Sequence, residues 1–354
     1  MMRATPLANM PAVARGVAGR IIAGSEVCAA QAAPLVVLVP RAGSAARSAF
    51  AREVARLAVR SLHAELCLYP KPGLVSPVDS GSHDDMDAGT FMRSMFALRH
   101  YFRQICLAGW DDAPFAQLKQ LGIAAEAAML KATHGINTHR GAIFSLGMLC
   151  ATAGRARAQG TSLRPAALRA AMLIRWGEEL AAHAAGPAAG PLPSVAPPAQ
   201  AAPAVASARD DGKAAVDEGL SNGLRVAARY AVSGAREEGA LGLPSVFEIG
   251  IPALLASRAR GATVTEERVD TLYALMAHIS DSNVYHRAGP PGAQIVRDHA
   301  ERFLAHGGTA NVNWYADALH SHHVFMQHRL SPGGAADLLA ACCLVQSLAT
   351  LDDK

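Results

Sequence analysis

Apolar side chains recur at three- and four-residue intervals in block after block of this chain, and short polar islands separate the blocks. Val54, Leu57, Ala58, Leu62 and Leu66 mark a first amphipathic helix over Ala51 to Tyr69, ended by Pro70 and Pro72. Phe91, Met95, Leu98, Phe102 and Ile105 mark a second. A third runs from Pro114 to Lys131, with Pro114 suited to the first helical position. The apolar stretch Ala142 to Leu149 predicts a fourth, capped by Asn137 or Thr138, and Pro165 to His183 a fifth. Periodicity lapses in Gly186 to Gly212, where Ala and Pro dominate, and resumes from Val216 to Gly234. Thr265-Glu266-Glu267 reads as the capped, acidic start of a helix that buries Val269, Leu272, Met276 and Ile279. Two or three more helices follow, the last from Gly334 to Leu351. No alternating run is long enough to build a sheet, and no internal repeat is present.

The pattern predicts an all-α chain. Residues 1–45 form a loosely ordered N-terminal extension, and residues 46–354 a single multi-helix globular domain. A flexible Ala/Pro-rich linker interrupts that domain at 186–212. Composition agrees: alanine is abundant and aromatics are only 5%, which favours helix. The net charge of +4 comes from scattered basic residues, so no nucleic-acid stripe is present, although the excess suits an anionic small molecule. None of the six cysteines has zinc-ligand spacing, and most lie in apolar helical patterns, so they read as buried, reduced thiols of a cytoplasmic protein. The apolar stretch from Pro34 to Pro40 is too short to cross a bilayer, and no transmembrane span is expected.

Five polar islands hold the candidate chemistry. The first joins the stiff turn Pro70-Lys71-Pro72-Gly73 to His83, Asp84, Asp85 and Asp87, and the second holds Asn137, His139 and Arg140. The third includes Arg236 and Glu238, the fourth runs from Asp281 through Asn283 to Arg287, and the fifth is Ser331-Pro332-Gly333-Gly334 with Asp337. Taken singly, each has a structural explanation: Asp87 and Asn137 suit helix caps, Asp337 suits the dipole of its own helix, and Gly333-Gly334 suits a plain turn. Glu65 reads equally as a buried, paired glutamate or as a site carboxylate. His320, His322, His323 and His328 suit a wet helix face better than a metal cluster. Together, however, the islands place ionisable groups beside turn formers at helix ends again and again. Lysine suits phosphate, clustered carboxylates suit Mg²⁺, and the amides after Gly333-Gly334 suit phosphate oxygens at a helix N-terminus.

In order and number these motifs resemble the triphosphoribosyl-dephospho-CoA synthase family, over Glu53 to Leu351. The matching stretches are Pro70 to Val75, Ser82-His83 with Asp85-Met86-Asp87, Gly135 to Phe144, Gly234-Ala235-Arg236 with Glu238, Asp281 with Asn283 and His286-Arg287, and Ser331 to Gly334 with Ala336 to Leu339. Arg140 stands where the family has lysine, Glu237 and Gly239 alter an Arg-Gly-Glu-Ala run, Ser282 replaces a threonine and Ala288 a glycine. The resemblance implies an all-helical enzyme that uses ATP with Mg²⁺, transfers its triphosphoribosyl group to 3′-dephospho-CoA and releases adenine. It implies that the product goes to the holo-synthase of an acyl carrier protein, of malonate decarboxylase or citrate lyase; the alanine-rich chain leans to the former. No nucleic-acid or membrane partner is implied, and a homo-oligomer is compatible.

On that resemblance, Lys71, Arg140, Arg287 and the Gly333-Gly334 turn are the phosphate candidates, with His139, Arg236 and Ser331 as further substrate contacts. Asn137 and Asn283 suit a sugar or base. Asp85, Asp87 and Glu238 are candidates for the base or for Mg²⁺, His83 is an alternative base, and Asp281 and Asp337 complete the metal candidates. The residues alone also permit an all-helical His-Asp phosphohydrolase with His83-Asp84 as ligand pair, or a helical binding protein without catalysis.

Overall fold

The computed structural model describes residues 43–185 and 234–352. The expected N-terminal extension, the 186–212 insertion and all but the end of the helix expected from Val216 to Gly234 lie outside the described residues. Among the described residues every regular element is helical, as the periodicity predicts.

Helix α1 spans Ser44–Leu66 and α2 spans Ala88–Trp110. The first begins a turn or two earlier than its apolar periodicity announces and stops short of Tyr69, leaving Cys67 exposed. The other four described cysteines are buried thiols. Helices α3 (Phe115–Ala132), α4 (Arg140–Ala158) and α5 (Pro165–Ala185) follow, with Pro114 at the N-cap and not inside the first turn. After the short α6 (Ala235–Ala240), a π-helical turn (Ser245–Gly250) leads into α7 (Ile251–Ala259). Helix α8 (Val264–His278) is capped two residues earlier than expected, by Thr263, whose hydroxyl and the Glu266 carboxylate satisfy each other's backbone N–H groups. Helix α9 (Ser282–Ala305) is broken at Gly289, which takes φ 62° just before Pro290 and Pro291. Helices α10 (Trp314–Gln327) and α11 (Gly333–Asp352) complete the set.

The centre of the domain is built from small residues. Helix α4 buries nearly every position from Ala142 to Ala156, most of them Ala, Gly, Ser, Cys or Thr. Its backbone lies directly on α2: a Cβ at Gly109 would overlap Ala151, and one at Gly154 would overlap Cys106. Helix α11 is buried on almost all sides and packs on α1, α4 and α8. It is long and apolar enough to cross a membrane by length and composition, which the expectation of no such segment missed; 61% of that segment is buried inside the protein, as a core helix.

Candidate functional site

The N-terminal ends of α4, α6, α9 and α11 open on one cavity of about 1560 Å³. Every site residue that the family resemblance named lines it except Asp87, and Asp84 of the alternative His83-Asp84 pair does not line it either. Helix N-termini present unpaired N–H groups and partial positive charge, so their convergence favours anions. Much of that potential is already answered by the protein's own carboxylates.

Asp281 is buried and caps α9, accepting from the Asn283 N–H at 2.9 Å, and its other oxygen accepts from Ala335 N–H at 3.0 Å. One side chain therefore ties the first turns of α9 and α11 together. This corrects the expected phosphate cradle at Gly333-Gly334: Gly333 N–H goes to the Ser331 carbonyl at 2.9 Å, Gly334 N–H faces Asp281, and Ala336 N–H goes to Pro332. The glycines matter for closeness instead, since a Cβ at Gly333 would sit 2.8 Å from Asn283 Nδ2 and one at Gly334 would sit 2.9 Å from an Asp281 oxygen. Asp337 does not serve its own helix either. Its carboxylate crosses to the first turn of α4, facing the N–H groups of Gly141 and Ala142, and Gly141 must lack a side chain for it to fit.

Lys71 was expected to meet phosphate from a stiff turn. It is instead 1% exposed, and its ammonium donates to the Glu65 carboxylate at 2.5 Å and the Glu65 carbonyl at 2.9 Å. Burial pulls the ammonium pKa down, and Glu65 opposes that. The expected wet histidine face fails at His322, which is buried and holds this same turn, with Nδ1 at 3.2 Å from both Gly73 N and the Lys71 carbonyl and Nε2 facing Asp79 at 3.3 Å. His320, His323 and His328 are exposed.

The four carboxylates named for a metal do not converge. Asp87 caps α2 through Thr90 and does not line the cavity, Asp281 and Asp337 are committed to backbone N–H groups, and Asp85 stands exposed, 3.5 Å from His83. Among the described residues no group of three or more His, Cys, Asp or Glu side chains has metal-binding geometry. An all-protein metal cage does not fit this donor set. Of the four, Asp85 alone is an exposed carboxylate on the cavity that is not committed to backbone N–H groups.

His83 changes role as well. Arg287 Nη2 lies 2.9 Å from His83 Nδ1, and a guanidinium can only donate, so Nδ1 accepts. Burial and Arg287 lower the His83 pKa, so the ring is neutral and carries its proton on Nε2, which donates to Ser331 Oγ at 2.8 Å. Both nitrogens are thus occupied, which argues against a base and leaves the Ser331 hydroxyl proton to donate onward. Arg287 also donates to the Ser82 carbonyl at 2.9 Å, tying the aspartate loop to α9. Asp84 leaves this group for Arg329, so His83-Asp84 is not a ligand pair.

Glu238 is half-buried, its carboxylate accepting from the Ser245 hydroxyl and N–H, and burial raises its pKa. His139 is buried, with Nδ1 2.6 Å from Ser94 Oγ and Nε2 without a partner. Burial and the Lys71 charge push its pKa down to about 3, so it is a neutral imidazole beside the Phe91 ring. Arg140 is paired with Glu126 while Asn137 Oδ1 accepts from Arg140 N–H. Lys119, His183 and Ser245 also line the cavity and were not named from sequence. Lys119 and His183 sit in otherwise ordinary helical pattern and Ser245 opens the π-helical turn, and no local motif announces them.

The fold and site define an all-helical protein whose polar chemistry gathers in one large anion-directed cavity. The ATP:dephospho-CoA triphosphoribosyl transferase family matches residues 51–354, and the chain belongs to that family of transferases. It is 36% identical over 283 residues to a protein of Acinetobacter calcoaceticus, covering 80% of this chain and 86% of the relative. A relative from Stutzerimonas stutzeri is 38% identical over 303 residues, with 84% and 92% covered, and one from Vibrio cholerae is 36% identical over 309 residues, with 85% and 89% covered. Each carries the name "Probable 2-(5''-triphosphoribosyl)-3'-dephosphocoenzyme-A synthase". No solved structure matches the chain.

Proposed function

We propose that this chain transfers the triphosphoribosyl group of ATP to the ribose 2′-hydroxyl of 3′-dephospho-CoA and releases adenine. The observation that carries the reading is the gathering of the separate sequence islands on one cavity of about 1560 Å³. Sites for one small ligand measure about 300–1,000 Å³, so two nucleotides have room. The C1′–N9 bond of ATP breaks as the new C1′–O bond forms, adenine leaves with the electron pair, and the proton given up by the hydroxyl balances the one that the departing adenine takes up, directly or through solvent. Glu238 is the proton acceptor: its raised pKa brings it nearer neutrality, and Ser245 fixes its orientation. Ser331 and Arg287 meet the triphosphate, with Asp85 for the Mg²⁺ that ATP brings. His139 is neutral, stacked edge-on against Phe91, and its buried Nε2 lacks a partner, which makes it the candidate for the adenine edge once a ligand opens access to it.

The test is incubation with MgATP and dephospho-CoA, with chromatography for free adenine. Adenine appearing in step with dephospho-CoA loss is the expected result, and phosphate release without adenine overturns the reading in favour of a hydrolase. Glu238→Gln should lower turnover by about 10²–10⁴-fold, the range of one general base, with the KM for ATP little changed. Of the two carrier systems we favour malonate decarboxylase, on the alanine-rich composition; offering the product to each apo-carrier with its holo-synthase separates them.

A further inference from the structure

The cavity has a second cationic end that the reaction chemistry above does not use. Lys119 on α3 and Arg236 on α6 both line it, with His183 of α5 between them in charge terms: both cations act to lower the His183 pKa, after burial. Neither Lys119 nor Arg236 has a carboxylate partner among the described residues. The acids that share this part of the lining are engaged elsewhere: Glu126 pairs with Arg140, Glu237 accepts from Gly234 N–H at 2.8 Å, and Glu248 pairs with Arg169 at 2.6 Å. Two uncompensated cations facing a cavity are a standing anion site.

This end differs from the Arg287 end in construction and in charge. Helix α6 packs on α4 and α5, whereas α9, which carries Arg287, packs on α8, α10 and α11. At the Arg287 end, Asp84 and Asp85 act on the guanidinium, so that end offers a cation with an exposed carboxylate beside it. A metal-bearing triphosphate suits that mixture. At the Lys119 end the neighbouring acids are already held by other partners, which leaves two unpaired cations and a histidine and suits a phosphate group that carries no metal. Of the two substrates, dephospho-CoA carries a diphosphate diester of this kind.

We infer that Lys119 and Arg236, with His183, form a second anion subsite that holds the diphosphate of dephospho-CoA, distinct from the triphosphate site at Arg287 and Ser331. The inference rests on the reading given under Proposed function. Placing the acceptor here leaves the ribose hydroxyl to meet ATP in the middle of the cavity, near Glu238, which lies two residues after Arg236 on the same helix.

The test is steady-state kinetics of Lys119→Ala, Arg236→Ala and Arg287→Ala, with equilibrium binding of dephospho-CoA alone to the full chain. Lys119→Ala and Arg236→Ala should each raise the dephospho-CoA KM and Kd about tenfold, the scale of one charge-assisted contact, and move the ATP KM by less than about twofold. Lys119→Arg should restore most of the loss. Arg287→Ala should show the reverse split. Equal effects on both substrates, an effect confined to ATP, or no effect in folded variants of an active enzyme overturns the subsite. An unaltered chain that releases no adenine from MgATP and dephospho-CoA instead overturns the underlying reading, so the two failures are told apart.

Discussion

Lys71 shows how a residue singled out for one kind of chemistry can be taken by another. The Pro-Lys-Pro-Gly turn was legible, and so was the ambiguity of Glu65, but not their union, because nothing in a sequence states that a turn folds back on the helix before it. The ion pair is buried at both ends, so removing one partner strands the other charge. Lys71→Ala should destabilise the fold by about 3–5 kcal/mol, and the double variant Lys71→Met with Glu65→Gln should recover a good part of it. Urea midpoints of the two variants against the unaltered chain check this, and a Lys71→Ala protein of native stability would show that the pair holds little. Asp337 carries a pH signature. Burial, with Glu65 and Asp281 nearby, holds its carboxyl well above the ordinary aspartate value of 3.8. In the window from that value up to its folded pKa, the folded chain keeps a proton the unfolded chain has lost, so this group's contribution to stability falls as pH rises. Asp337→Asn removes the titration. Its stability deficit should therefore be largest near about pH 4 and shrink toward neutrality in urea titrations across that range.

At the scale of elements, the helices were legible wherever one face is apolar and the other polar. Their ends were less so. Thr265 looked like a cap because two acids follow it, yet Thr263 does the capping, since the Glu266 side chain reaches back three residues. The capping of α4 and α11 was hidden for a deeper reason: Asp337 and Asp281 come from distant segments, and local rules see only neighbours. Helix contact also reads poorly from sequence when it depends on what is missing. Gly109 and Gly154 let α2 and α4 touch backbone to backbone, whereas a Cβ on Gly177 of α5 would meet nothing closer than 3.8 Å. Gly109→Ala and Gly154→Ala should each cost about 3 kcal/mol or more, because backbone cannot yield as a side chain does. Gly177→Ala should be neutral or stabilise by up to about 1 kcal/mol, as helical glycine gives way to alanine. Thermal melts of the three variants make the comparison, and a benign Gly154→Ala would contradict the close crossing.

Across the whole molecule, the sequence motifs are scattered over more than two hundred residues and return to one cavity, which is why their order carried more than any one of them. The shape of that cavity, and the cation Lys119 that ends without a partner, depend on tertiary placement and had no local signal, whereas Arg236 was marked by its motif. The Ala/Pro stretch from Gly186 to Gly212 carries no ionisable cluster apart from its last few residues and no family motif. A version joining Ala185 to Lys213 through a short Gly/Ser bridge should keep most of its adenine-releasing activity, and a folded but inactive product would show that the stretch helps order the site. One design choice reaches beyond catalysis. The first turn of α11 is held by the Asp281 carboxylate, and the rest of that helix is a membrane-length apolar core segment. A fault in this one polar latch loosens the most water-averse piece of the chain, so damage at the catalytic rim surfaces as aggregation and poor recovery of protein, and a crude extract would report it as missing enzyme before it reported it as slow enzyme.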